Sequence, residues 1–196
     1  MAKKNQITTA DILPYNEYIK LVDKLHEDKE YRIELFARLQ FCTACRAGDV
    51  LQFRWKDIVG NSNKLTVTEQ KTGKTRVITF NPSVQKTFND LYGLMGSPNK
   101  EQFIFYSRTT GSPITIQFVN RELKRIKRKY RLKIDNFSTH TFRKTFGRFV
   151  YDKSNHSAES LILLNKIYKH SSLEITKTYI GITQDEIDGV FSSIQF

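Results

Sequence analysis

Apolar residues recur at helical spacing through the opening of the chain, in PYNEYIKLVDKL from Pro14, in EYRIELFARLQFCTA and in the short RAGDVLQFRW. This predicts a first layer of helices, with Arg46 at a helix junction. The period then changes to two: KLTVTEQ and RVITF alternate and are rich in Val, Ile and Thr, and KTGK between them supplies a glycine for a tight turn. A β-hairpin with lysines at its tip is expected. Asn81 followed by Pro82 reads as cap and first-turn proline of a helix over SVQKTFNDLYGLM. FIFY is a short strand candidate, and Thr115 is expected to cap the helix from about Ile116, whose stripe is Val119, Leu123, Ile126 and Tyr130. FRKTFGRFVY is helical with Phe142, Phe146 and Val150 on one side, and SAESLILLNKIY is a buried helix. Ser171 with Glu174, and Thr183 with Glu186, fit capping boxes that each open a short C-terminal helix. The fold class is therefore α+β, mainly helical, with one small antiparallel sheet.

The length of 196 residues fits one domain, enough to bury roughly 70% of the surface exposed by the unfolded chain. Residues 1–12 read as a flexible N-terminal arm and 13–196 as the folded domain. Thirty-two Lys and Arg against 20 acids give a formal net charge of +12, which favours a polyanionic partner and, first among those, double-stranded DNA. No apolar run approaches the ~20 residues that span a bilayer, and MAKKNQITTADI lacks the apolar stretch of a signal peptide, so a cytoplasmic protein without membrane attachment is expected. Cys42 and Cys45 form the sole C-x-x-C, with no second pair or nearby His for zinc, and read as helix filler. Neither metal nor cofactor is expected.

The charges cluster on the helix from Ile116, where Arg121, Lys124, Arg125, Lys127 and Arg128 surround the apolar stripe with Glu122 as the sole acid among them. A solvated helix face is the ordinary reading of a charge run, but the missing sign alternation favours contact with a DNA backbone, to which Lys74 and Lys144 are added.

The remaining chemistry is carried by a scattered set. His140 and Arg143 in HTFR stand three apart, on one face of a helix or its first turn, where backbone amides favour an anion. His170 precedes the capped segment SSLEITKTY, and Tyr179 follows nine residues later. Taken singly, Tyr179 reads equally as a core aromatic, His170 as a surface imidazole and H-x-x-R as a helix cap beside a surface Arg.

As an ordered set these residues resemble the catalytic domain of the tyrosine recombinases, the family of phage and transposon integrases. That family's pattern has an Arg after T-G-x, a hairpin Lys, H-x-x-R, and G-H-S followed by Tyr nine residues after the His. Here it reads TACR at Arg46, KTGK at Lys71, HTFR at His140 and Arg143, and KHSS to Tyr179, over roughly residues 10 to 196. Ala44 and Lys169 stand where the family has Gly. The resemblance implies a metal-independent transesterification: Tyr179 attacks a phosphodiester, leaving a 3′-phosphotyrosyl link and a free 5′-hydroxyl. His140 is the candidate base, Arg46 and Arg143 the phosphate grip, and His170 a further hydrogen-bond donor. Lys71 is the general acid, with Lys74 its rival, and Asp49 a carboxylate that orients its neighbours or else a surface acid in a helix turn. A type IB topoisomerase and an inactive DNA-binding module are the competing readings.

The resemblance further implies a monomer in isolation that assembles on DNA into a tetrameric synaptic complex through a C-terminal helix, 183–196. Its stripe of Ile187, Val190, Phe191 and Ile194 packs either on a neighbour or on its own core. The helical core-binding domain that usually precedes the catalytic domain has no room in 196 residues.

Overall fold

A computed structural model describes residues 10–60, 62–70 and 73–182 of the chain. Among them nine helices and one two-stranded sheet follow in the order α1 (Tyr15–Glu27), α2 (Tyr31–Thr43), α3 (Ala47–Val50), α4 (Trp55–Ile58), β1 (Lys64–Thr68), β2 (Thr75–Thr79), α5 (Pro82–Leu94), α6 (Ile116–Lys129), α7 (Thr141–Lys153), α8 (Ala158–Tyr168) and α9 (Leu173–Tyr179). The strands pair antiparallel with Lys64 opposite Thr79 and Thr68 opposite Thr75, as the alternation predicts. Leu65 and Val67 face the core from β1. Asn81 caps α5 by accepting from the Val84 amide, and Thr115 caps α6 by accepting from that of Phe118.

α2 is the central element. It is buried almost all round, packs against α1 and α7, and carries Leu35, Phe36, Ala37 and Leu39 into the main core. Phe142 of α7 meets Phe36, Phe137 and Tyr18 edge to face, an arrangement aromatic rings prefer. A second, smaller apolar cluster lies beside the first and consists of Ala44, Leu164, Tyr168, Tyr179 and Ile180. The residues of interest gather at the seam between the two.

The structure corrects three local expectations. FIFY is no strand: it makes only isolated bridges, Arg54 with Phe103 and Tyr106 with Pro113, because among the described residues no third strand lies alongside to continue a ladder. α9 is capped by Ser172, which accepts from the Ile175 amide, one residue later than the expected Ser171. Residues 10–12 do not belong to a loose arm, since Ala10 is buried and the Asp11 amide donates to the Asn136 carbonyl at 3.1 Å. Residues 1–9, 61, 71–72 and 183–196, the last with the expected Thr183–Glu186 box, lie outside the described residues.

Candidate active site

Helix ends build this site. α2 stops at Ala44, which takes a left-handed conformation (φ 51°) and turns the chain so that Arg46 begins α3 facing the second cluster. α8 stops the same way at Lys169 (φ 56°), which leaves the Tyr168 carbonyl in the last turn without an intrahelical donor. Both left-handed residues stand where the resemblance has Gly. Their Cβ atoms are accommodated at the modest cost of that region.

The Tyr168 carbonyl receives both predicted arginines. Arg46 donates to it from Nη2 at 3.4 Å and Arg143 from Nη2 at 3.3 Å, while Arg143 also donates to the Ala44 carbonyl. A helix C-terminus carries partial negative charge, so it helps to hold the two guanidinium groups side by side there. Arg143 is buried, with its Cζ 4.6 Å from the Tyr168 ring centroid, and Arg46 is the more exposed of the pair.

The imidazoles and the phenol close round the arginines. His170 follows the α8 terminus directly and is oriented by an Nδ1 contact of 3.0 Å with the Thr176 hydroxyl. The Tyr179 ring lies 5.0 Å from His170 and 5.1 Å from Tyr168. Its hydroxyl is buried beside the Arg143 guanidinium, without an aligned hydrogen bond. Burial raises the phenol's pKa, and the nearby charges of Arg143 and Arg46 oppose that rise only in part. His140 caps α7 with a buried, unpartnered Nδ1, and burial followed by the charges of Arg143, Lys144 and Arg46 holds its pKa at about 4. His170 is pushed down to about 4 as well, by burial and then by Arg143 and Arg46. Both rings are therefore neutral near pH 7, each with one nitrogen able to accept a proton.

Asp49 is no surface acid. It is 5% exposed, and its Oδ1 accepts the Gln70 amide at 3.0 Å, tying the base of the hairpin loop to α3. Lys71 lies outside the described residues, and Lys74 is exposed at the far side of the same loop.

Two of the assigned DNA contacts are altered by tertiary packing. Lys144 is 7% exposed and donates to the Ala10 carbonyl at 2.7 Å, with its ammonium 5.3 Å from the Tyr179 ring centroid. It points inward because the 10–13 segment covers that side of α7, so it offers no outer phosphate contact. Arg125 is gripped by both Glu30 oxygens at 2.8 Å and by Glu122 at 2.9 Å. Acids from the α1–α2 connection thus supply the sign alternation missing from α6 itself. Lys129 joins them through Asp28 and Glu30. Lys127 donates to the Asp135 carbonyl, whereas Arg121, Lys124 and Arg128 are exposed.

Three contributors escaped the sequence reading: the Tyr168 carbonyl, Lys169 and Glu69. Glu69 is 2% exposed, accepts from Arg46 Nη1 at 2.8 Å and lies 3.1 Å from the Lys169 ammonium. The signal for it was present. Leu65, Val67 and Glu69 share one phase of the strand alternation, and a carboxylate in the apolar phase requires a cationic partner.

The chain resembles several known proteins in sequence and in fold. The model of the phage integrase family matches residues 11–186. The "Probable integrase/recombinase YoeC" of Bacillus subtilis (strain 168) is 32% identical over 173 residues, which cover 85% of this chain and 90% of that one. A "Probable integrase/recombinase" of Acholeplasma phage L2 is 26% identical over 145 residues, 74% of this chain and 47% of the phage protein. Among solved structures, the XerH site-specific recombinase in a post-cleavage complex with a palindromic difH substrate superposes at a TM-score of 0.71 and 17% identity, covering 98% of this chain and 55% of XerH. Lambda integrase (residues 75–356) bound to DNA superposes at 0.63 and 22% identity, covering 100% of this chain and 66% of that one. The chain thus spans about half of XerH and about half of the phage relative. With the family match running over most of its length and the identity to the Bacillus protein sustained along it, the chain belongs to the phage integrase family.

Proposed function

We propose that this chain cleaves and rejoins DNA strands at specific sites through a 3′-phosphotyrosyl intermediate, with Tyr179 as nucleophile acting within its own chain. The observation that carries the reading is the meeting of Arg46 and Arg143 on one carbonyl, with the His170 and Tyr179 rings packed around the same helix terminus. The relatives are named integrases and recombinases, and XerH and lambda integrase are held in complexes with DNA, which supports duplex DNA as the substrate.

A phosphate seated against the two guanidinium groups has its non-bridging oxygens in bidentate reach, so the charge that accumulates in the five-coordinate transition state meets fixed cations in place of a metal ion. Its charge also raises the two histidines from their depressed values. His140 accepts the phenol proton as Tyr179 attacks, and His170 donates a hydrogen bond to the phosphoryl group. Lys71 protonates the departing 5′-oxygen. Attack by a second 5′-hydroxyl reverses the step, and the ester to Tyr179 conserves the bond energy between the two.

A duplex selected by binding from a random pool, then nicked beside the cleavage position, should trap a denaturant-resistant adduct that chelator leaves unchanged. Tyr179→Phe should bind the duplex and form no adduct; an adduct that survives the change refutes the assignment. Exchange of strands between two labelled duplexes, set against relaxation of a supercoil, separates recombinase from topoisomerase. The 183–196 segment assembles protomers on DNA in this reading, and exposed Ile162 and Leu163 on α8 with Leu173 on α9 are apolar surface suited to receive it. Sedimentation on DNA with and without residues 183–196 tests this, and identical behaviour removes it. The protein works where its DNA is, in the cytoplasm.

A further inference from the structure

We infer that Glu69 is a positioning residue for strand cleavage: its buried carboxylate draws Arg46 and Lys169 together at the site and fixes the base of the loop that carries Lys71. The inference rests on the function proposed above.

Glu69 lies beneath the cations it holds. Its side chain is 3% exposed, against 26% for Arg46, 22% for Lys169 and 19% for Arg76, whose Nε is 3.9 Å from the same carboxylate. The Arg46 contact is an aligned hydrogen bond, whereas Lys169 approaches as an ion pair without hydrogen-bond alignment. An anion that stood in the place of the phosphate would be exposed with the cations behind it. Here the order is reversed: the carboxylate forms the floor, and the outward side of Arg46 is left for a ligand.

The electrostatic need is plain. Arg46 and Arg143 donate to one carbonyl, and Lys169 reaches in from the next residue. Like charges this close repel unless an anion lies among them, and a buried carboxylate acts at low dielectric, where its attraction is strongest. Lys169 follows Tyr168 in the left-handed turn, which directs its side chain across to β1. Glu69 thereby joins the α8–α9 corner to the hairpin.

Its backbone does the second part of the work. The Glu69 amide donates to the Lys74 carbonyl at 3.1 Å, and the Glu69 carbonyl accepts from Gly73 at 2.8 Å, so the loop opens and closes on this residue. Gln70, the next residue, is pinned to Asp49. The described residues on either side of Lys71 are thus anchored to α3 and to Arg46, and in this inference a shift of Glu69 disturbs the guanidinium and the loop base together.

The test is single-turnover cleavage of the nicked duplex by the whole chain, with either oxygen or sulfur at the bridging 5′ position. Tyr179 attacks phosphorus in both cases. The P–O bond breaks with proton transfer to the leaving oxygen, while the P–S bond breaks to release a thiolate that needs no proton. Glu69→Gln should bind DNA within about twofold of the parent and cleave the oxygen duplex ~100-fold more slowly, the size of effect that a displacement of about 1 Å produces. On the sulfur duplex the deficit should shrink to about tenfold, because only the contribution through Arg46 remains. A merely structural loss would slow both substrates equally, and equal slowing overturns the link to the loop. Lys169→Met, a change at a partly exposed position, should slow cleavage severalfold and serves if Glu69→Gln fails to fold. Unaltered cleavage by the folded variants overturns the inference. A parent protein that forms no adduct on either duplex refutes instead the function on which it rests.

Discussion

Replacing Tyr179 by Phe removes one oxygen that lies beside the Arg143 guanidinium but outside aligned hydrogen-bond geometry. The hydroxyl is buried in a residue that is 8% exposed, and no donor or acceptor meets it with hydrogen-bond geometry. A buried polar group without a partner destabilises the fold by about 1–3 kcal/mol, and a phenyl ring keeps every apolar contact to Tyr168, His170 and Ile180. The attraction of Arg143 and Arg46 for the oxygen dipole offsets part of the gain. A net stabilisation of about 1 kcal/mol is expected, or about 2–4 °C in Tm for a chain of this length. Urea unfolding of parent and variant at pH 7.5, followed by far-ultraviolet dichroism, measures it, with the slope unchanged if the unfolded states match. The variant proposed to lose the chemistry should thus be the more stable of the two. A loss of 0.5 kcal/mol or more, on the order of one ordinary hydrogen bond, would show that the hydroxyl has a partner in the free protein and would refute the reasoning.

The histidines make stability fall with acid. Their folded values of about 4 lie below an unfolded value of about 6.5, so the unfolded chain takes up protons first; stability is complete above 6.5 and is lost as pH drops toward 4. Linkage alone gives ~2 kcal/mol for each ring at pH 5, and halving for their partial exposure leaves ~2 kcal/mol for the pair. Denaturation midpoints of the parent and of the His140→Gln, His170→Gln double variant between pH 7.5 and 5 check this, and parallel curves would contradict it. Gly147 admits no side chain, because a Cβ there would stand 2.3 Å from the Tyr168 hydroxyl and 2.6 Å from Ile180 Cγ2. Gly147→Ala should cost about 1–3 kcal/mol in thermal unfolding and slow cleavage as well, and a variant as stable and active as the parent counts against this packing. Arg125 is engaged by Glu30, whereas Lys124 and Arg128 are open to solvent. Binding titrations over a salt series should show the slope reduced by about 1 for Lys124→Ala or Arg128→Ala and unchanged for Arg125→Ala, and the opposite ranking would reverse the assignment.

Local order along the chain was enough for several elements. The hairpin follows from alternation, since a strand shows one face to the core and the other to water. The starts at Asn81–Pro82 and Thr115 follow from cap chemistry, and the buried stripe of α6 from its period. The ordered set from Arg46 to Tyr179 pointed to one family because so many chemically distinct residues in register are rarely met by chance. Where each of these signals acts, the cause lies within a few residues of the effect.

Packing alone decided the rest. Nothing near Lys144 announces that Ala10, 134 positions away, will cap its ammonium, and nothing near Arg125 announces Glu30, 95 positions away. FIFY has the composition of a strand but finds only single bridges, to Arg54 and to Pro113, and pairing is a property of neighbours in space. Most of all, the arginines meet on the Tyr168 carbonyl, a backbone atom that every residue possesses and that becomes an anchor only because α8 ends there. Charges and backbone dipoles act over ångströms, and which of them come within that range is settled when the helices pack.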